Sequence, residues 1–228
     1  MNRAVVTVLF ASAAAATAAE STHRIAGAKA HGAIALAAVG AYFVLKVGIL
    51  AALSLFMWVR PASRKPSREP VALVACVVAI ASVAALAPPS VRGGEGRAIA
   101  GIAVAAVASC WLLVAIMTLG RCFGVLPEAR GLVTRGPYAL VRHPIYLGEL
   151  TAAGGLVLAA PSLRNLLIMP LFAAAQLVRM RLEEAALAAE FPEYAAYAAG
   201  RPRLLPLRVQ LTRDRMSRGL PSSSTQPL

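Results

Sequence analysis

From Ala33 to Val59 the sequence carries one charged residue, Lys46, and comparable apolar runs recur along most of the chain. They cover about Ala98–Leu119, Pro70–Leu86, Ile145–Ala160 and Leu166–Val178, with a further run over residues 4–19. A span of lipid needs roughly 20 apolar residues, and in lipid every backbone N–H and C=O must be satisfied within the protein. These runs therefore predict an all-α, polytopic transmembrane helical bundle of about five or six spans. Composition excludes an ordinary soluble domain: 59% of the residues are hydrophobic, 14% are charged and the mean hydropathy is +0.69.

The breaks between runs are as informative as the runs. Residues 4–19 follow Arg3 and end in small residues before Glu20, which suits either a first span or a signal peptide cleaved near Ala19. Arg60 and the basic, Pro-rich Pro61–Arg68 end the second run, Pro88-Pro89 end the third, and Gly93-Gly94-Glu95-Gly96 reads as a tight loop. Pro161–Asn165 joins the last two runs as a helical hairpin. Residues 20–206 form one membrane-embedded domain whose chemistry-bearing half is 119–206, and residues 207–228, rich in Arg, Ser and Pro, form a disordered basic tail.

The net charge of +13 would point to nucleic acid in a soluble protein, but no basic helical face or aromatic platform accompanies it. Placed on the span pattern, seventeen of the 23 Lys and Arg residues fall on one side: Arg3, the 60–69 loop, the 120–144 loop and the segment from Arg179 onward. That is the positive-inside pattern, expected of an integral protein of a bacterial inner membrane, with those loops and the C-terminus cytoplasmic and in contact with membrane lipids. Cys76, Cys110 and Cys122 form no CxxC pair, and His23, His31 and His143 lack metal-ligand spacing, so neither a disulfide framework nor a metal site is expected. Lys46, midway along its run, must snorkel or face a polar cavity.

The 120–144 loop is long for a chain of short connections, and long ordered loops are commonly functional. It holds Arg130-Gly131-Leu132-Val133, then Gly136-Pro137-Tyr138, then Val141-Arg142-His143-Pro144-Ile145-Tyr146. Gly136-Pro137 fixes a turn, and Pro144 suits the first turn of a helix, which places His143 at that helix's N-terminus, where free N–H groups favour an anion. Taken singly, His143 is a surface cap and Tyr138 and Tyr146 are interfacial aromatics. A second cluster follows the last apolar run: Arg179, Arg181, Glu183 and Glu184, then Phe191-Pro192-Glu193-Tyr194 and Tyr197. Alone it reads as a solvated helix face with Arg179 and Glu183 paired at i,i+4.

Taken together, GLVTRGPYALVRHPIYLG, RLEEAALAAEFPEYAAY and the closing RPRLLP resemble the isoprenylcysteine carboxyl methyltransferase family, itself similar in this half to the phospholipid N-methyltransferases. The resemblance covers about Leu119–Pro206; the first hundred residues share only their apolar character. It implies a polytopic enzyme that takes a methyl group from S-adenosylmethionine at a cytoplasmic-face site, with a lipophilic or lipid-linked acceptor entering from the membrane. By the same resemblance Arg130, Gly131, Leu132, Val133, Tyr138, His143, Pro144, Ile145, Tyr146 and Glu183 line the cofactor site, and Arg179 faces the acceptor as the catalytic, substrate-binding arginine. The chain departs from the pattern at Phe123, where a polar cofactor contact is replaced, at Arg130, often a histidine, and in the shortened Phe191–Tyr194 stretch.

Methyl transfer is an in-line displacement at a sulfonium carbon, so catalysis is mainly alignment. A carboxylate acceptor of the isoprenylcysteine type, the first expectation, needs a fixed cation such as Arg179 to keep it charged when buried. A phospholipid amine would instead need a base near the site, and a small thiol is a third acceptor class. Tyr138 or Tyr146 would hold the sulfonium by cation–π attraction, worth about 2 kcal/mol when desolvated. The alternative of another kind is a non-catalytic scaffold or transporter-like bundle. The sequence leaves the oligomeric state open.

Overall fold

The computed structural model describes residues 3–60, 70–86, 95–126 and 128–205. Among them it is all-helical: α1 (Arg3–Lys29), α2 (Ala33–Val59), α3 (Pro70–Ala85), α4 (Glu95–Leu119), α5 (Pro144–Ala159), α6 (Leu163–Glu190) and the short α7 (Tyr194–Ala199), with 3-10 turns at Gly120–Cys122 and Gly136–Ala139. The expected loop at 61–68, the prolines at 88–89, Gly93-Gly94 and the tail from 207 lie outside the described residues.

α1 and α2 form a hairpin that reverses at Gly32, whose φ of 92° lies in the left-handed region glycine alone enters freely. α2 packs on α4, α4 on α5, α5 on α6, and α3 on α6. The closest of these interfaces is α4 against α5. A Cβ on Gly148 would meet Leu112 at 2.8 Å, and one on Gly155 would lie 2.7 Å from both Ala105 N and Gly101 O. Small residues one or two turns apart on both helices let the backbones touch, the usual way helices associate where apolar burial gives little drive.

Among the described residues, three helices are long and apolar enough to cross a membrane: Ala33–Val59, Glu95–Cys122 and Leu163–Glu190. α3 and α5 are apolar but only 16 residues each, about 24 Å at the helical rise against a hydrocarbon core of about 30 Å. α1 reaches 27 residues, but Glu20, His23, Arg24 and Lys29 make its second half polar. Of the five or six spans expected from apolar runs, three meet the length and composition of a full span among the described residues. The outward faces of the long helices remain apolar, with Ile34, Val107 and Leu163 exposed by 75, 73 and 74%. Such faces suit lipid and not water.

Two boundaries shift for local reasons. α4 begins at Glu95, so the expected glycine loop cedes Glu95 and Gly96 to the helix, and an acid in the first turn favours the start. The last apolar run ends at Val178, yet α6 continues to Glu190, because Arg179–Glu190 is a run of strong helix formers. That extension carries Arg179, Glu183 and Glu184 on one rigid element. Ser162 caps its N-terminus by accepting from the Asn165 amide at 3.2 Å.

Candidate functional site

The site forms where the N-terminal end of α5 meets the C-terminal half of α6, beneath the connection between α4 and α5. That connection is held by local chemistry. Gly136 adopts φ 58°, producing the turn that the Gly-Pro pair predicts, and His143 caps α5 with Pro144 at its first position. The Trp111 indole donates to Pro144 O at 2.9 Å, pinning the start of α5 to α4. The Cys76 thiol donates to Val125 O at 3.1 Å, tying the segment after α4 to α3.

The segment following α6 closes over this connection. Arg142 N donates to Pro202 O at 2.9 Å and His143 N to Arg203 O at 3.0 Å, so the backbone of the Arg-Pro-Arg stretch satisfies the amides just before α5. The Tyr197 hydroxyl donates to Tyr138 O at 2.8 Å and Arg201 Nε to Ala139 O at 3.1 Å. Burial pushes the Tyr197 hydroxyl up to about 12 and holds Tyr138 well above the usual tyrosine value, so both remain neutral at ordinary pH.

Adjacent glutamates on α6 serve different partners. Glu184 receives His143 Nε2 at 2.9 Å, Arg142 Nη1 at 3.0 Å and Arg203 Nη2 at 2.7 Å. It joins three segments, and its hydrogen bond with Arg203, reinforced by its charge, holds the Arg203 guanidinium above its usual value. Glu183 instead accepts from the Tyr146 hydroxyl at 2.9 Å. The His143 and Tyr146 rings meet edge to face at 5.4 Å.

Deeper in, Arg179 lies over the Tyr146 ring, 5.1 Å from its centroid. Its Nη1 donates to Gln176 Oε1 at 2.6 Å and stands 3.7 Å from Glu149 Oε2, which in turn accepts from Gln176 Nε2. Arg179 Nε is buried and has no hydrogen-bond partner. An unpartnered buried N–H is costly, and this one belongs to a side chain on the cavity wall.

These groups wall a cavity of about 260 Å³. Of the residues singled out in the sequence, Gly131, Leu132, Val133, Tyr138, His143, Pro144, Ile145, Tyr146, Arg179 and Glu183 line it, as does Phe123. Arg130 does not: its side chain is buried in an ion pair with Glu128. A Cβ at Gly131 would sit 2.7 Å from the Cys122 sulfur, so a larger residue there would force the Cys122 side chain to shift. The sequence reading missed Glu149 and Gln176, although an acid and an amide inside otherwise apolar runs are a signal in themselves. It also gave Glu184, Arg142 and Arg203 no role.

A second cavity, of about 610 Å³, lies among α1, α2 and α3 and shares Phe10, Leu50, Cys76, Ile80 and Val125 with the first. Its walls are mostly apolar. Lys46 faces it and stacks 5.9 Å from the Tyr42 ring centroid, which accounts for a cation in the middle of α2.

Residues 97–193 match the family model of the phospholipid methyltransferases. Over 98 residues the chain is 37% identical to the cobalt-zinc-cadmium resistance protein CzcN of Cupriavidus metallidurans (strain ATCC 43123 / DSM 2839 / NBRC 102507 / CH34). That alignment covers 41% of this chain and 45% of the relative, so the match spans less than half of the relative's length. No solved structure matches the chain.

Proposed function

We propose that this protein transfers a methyl group from S-adenosylmethionine to a lipophilic acceptor, a reading supported by the match of residues 97–193 to the family model of the phospholipid methyltransferases. The observation that carries the reading is Glu183, a carboxylate bonded to Tyr146 on the wall of a cavity that also holds Glu149, Gln176 and Arg179 and whose other walls are mainly apolar and aromatic. A sulfonium cofactor is cationic. Such a site offers it a counter-charge and the faces of Tyr138 and Tyr146 without water.

The residues fit such a cofactor. Glu183 would accept from its amino or ribose hydroxyl groups, and Gly131, Leu132 and Val133 supply a close-approaching backbone edge beside it. His143 is a wall whose Nε2 is committed to Glu184. Bound there, S-adenosylmethionine supplies an electrophilic methyl carbon; the protein's part is to hold that carbon in line with the nucleophile and to exclude water. The apolar second cavity adjoining the site is suited to the body of a membrane-borne acceptor. In this reading the cavity end of the bundle faces the cytoplasm of a bacterial inner membrane, in keeping with the charge bias.

Calorimetry of the detergent-solubilised chain with S-adenosylhomocysteine tests the reading directly. Saturable heat supports it. Absence of heat would favour a non-catalytic bundle, whatever the motifs suggest.

A further inference from the structure

Two short stripes face one another across the cavity. Tyr146 and Glu149 lie three residues apart on α5, and Gln176, Arg179 and Glu183 lie at helical spacing on one face of α6. Tyr146, Arg179 and Glu183 have a place in holding cofactor or acceptor, and Gln176 braces Arg179. Glu149 has none in that scheme, and it is an ionisable group within an apolar helix, where such a group is expensive to keep.

Its surroundings define its state. Gln176 Nε2 and Arg179 Nη1 both address Glu149 Oε2, and among the described residues Glu149 Oε1 receives no hydrogen bond. The side chain retains 30% of its accessible surface although it lies inside the bundle, because it opens onto the cavity. The other ionisable groups facing it are Glu183 from α6, Tyr146 from its own helix and Cys76 from α3. A carboxylate with one oxygen anchored and the other open to a reaction cavity is arranged to take a proton.

We propose that Glu149 accepts the proton released by the methyl acceptor, which assigns the site to a protic nucleophile, an amine or thiol on a lipophilic body. This inference rests on the methyltransferase reading above. The acceptor's lone pair forms the new bond to the methyl carbon, the carbon–sulfur bond of the sulfonium donor breaks with its electron pair passing to sulfur, and the acceptor's proton passes to Glu149 Oε1. A carboxylate acceptor releases no proton. It would also place a second negative charge beside Glu149, with Arg179 as the cation paired with it. Arg179 then serves mainly to keep Glu149 ionised and oriented.

The test uses membranes containing the full chain, supplied with S-adenosylmethionine labelled in its methyl group. N-methyl and S-methyl products survive mild alkali, whereas a methyl ester releases labelled methanol; mass analysis of the stable product separates amine from thiol. Alkali-stable label is expected. Glu149→Gln should slow transfer by about 100-fold or more, the low end of what a general base contributes, remove the acid limb of the rate profile and leave S-adenosylhomocysteine affinity unchanged. Alkali-labile label would overturn the proposal, as would wild-type turnover by E149Q or loss of S-adenosylhomocysteine binding in that variant. Failure to label any product by a chain that does bind S-adenosylhomocysteine would overturn it too. A wild-type chain that binds no S-adenosylhomocysteine would instead sink the methyltransferase reading itself.

Discussion

The Tyr146 hydroxyl donates to Glu183 at 2.9 Å, joining side chains 37 residues apart in the sequence. The bond places a carboxylate against an aromatic ring that also lies under the Arg179 guanidinium. Removing the charge while keeping the shape isolates what Glu183 does. Glu183→Gln should weaken S-adenosylhomocysteine binding by about tenfold, the loss expected when a charge-assisted hydrogen bond becomes a neutral one. Tyr146→Phe keeps the ring under Arg179 and should cost less. Calorimetry of both variants checks the order, and unchanged affinity in E183Q would remove Glu183 from the cofactor site.

Glu184, one residue on, should behave differently. Its side chain is 12% exposed and that of His143 is 3% exposed, so truncating Glu184 strands a buried imidazole and the Arg142 guanidinium without their shared anion. Breaking such a set costs about 3 kcal/mol. Arg203 is exposed on the rim of the set, where one ion pair contributes about 1 kcal/mol or less. Thermal unfolding in detergent should therefore show a far larger fall for Glu184→Ala than for Arg203→Ala. Equal falls would show that Glu184 is not the hub joining the three segments.

Which parts of this arrangement were legible beforehand follows from the solvent. Lipid demands long apolar runs, so α2, α4 and α6 stand out in the sequence, and Gly136-Pro137 and His143-Pro144 announce their turns through φ restrictions. The length of α6 was hidden, because hydropathy stops at Val178 while helix propensity does not. The pairing of Tyr146 with Glu183 and of His143 with Glu184 depends on α5 and α6 lying side by side, which no local pattern records; placing both segments on one side by charge bias brought them near without naming the contacts. Arg130 shows a difference from the expected arrangement. The resemblance put it in the cofactor wall, but Glu128, two residues away, turns its side chain aside.

The cover formed by α7 and the Arg201–Arg203 stretch predicts a response to alkali. Burial raises Tyr197 to about 12 and also raises Tyr194 and Tyr138. An unfolded tyrosine titrates near pH 10, about two units lower. The neutral forms are favoured in the folded state, so this contribution is complete below pH 10 and is lost as pH rises from 10 through 12. The melting temperature of the wild type should fall across that window. Tyr197→Phe should be less stable at neutral pH, having lost its bond to Tyr138 O, but its melting temperature should depend less steeply on pH. Parallel curves would place the titrating group elsewhere.

Adjacent glycines on α5 give a sharper comparison, since they share a helix and differ only in the face they present. A Cβ at Gly154 meets nothing within 4 Å, whereas at Gly155 it would sit 2.7 Å from Ala105 N and Gly101 O. Those are backbone atoms of α4 and cannot rotate away. Gly154→Ala should be neutral or stabilising by up to about 1 kcal/mol, the helix-propensity gain of alanine over glycine. Gly155→Ala gains the same propensity but must push α5 off α4, a strain of about 1–3 kcal/mol. Because α5 presents Pro144, Tyr146 and Glu149 to the cavity, that displacement should also weaken S-adenosylhomocysteine binding, while G154A binds as the wild type does. Unfolding and calorimetry on the pair decide it: if G155A is as stable and binds as well as G154A, the α4–α5 contact is not what sets the position of the site.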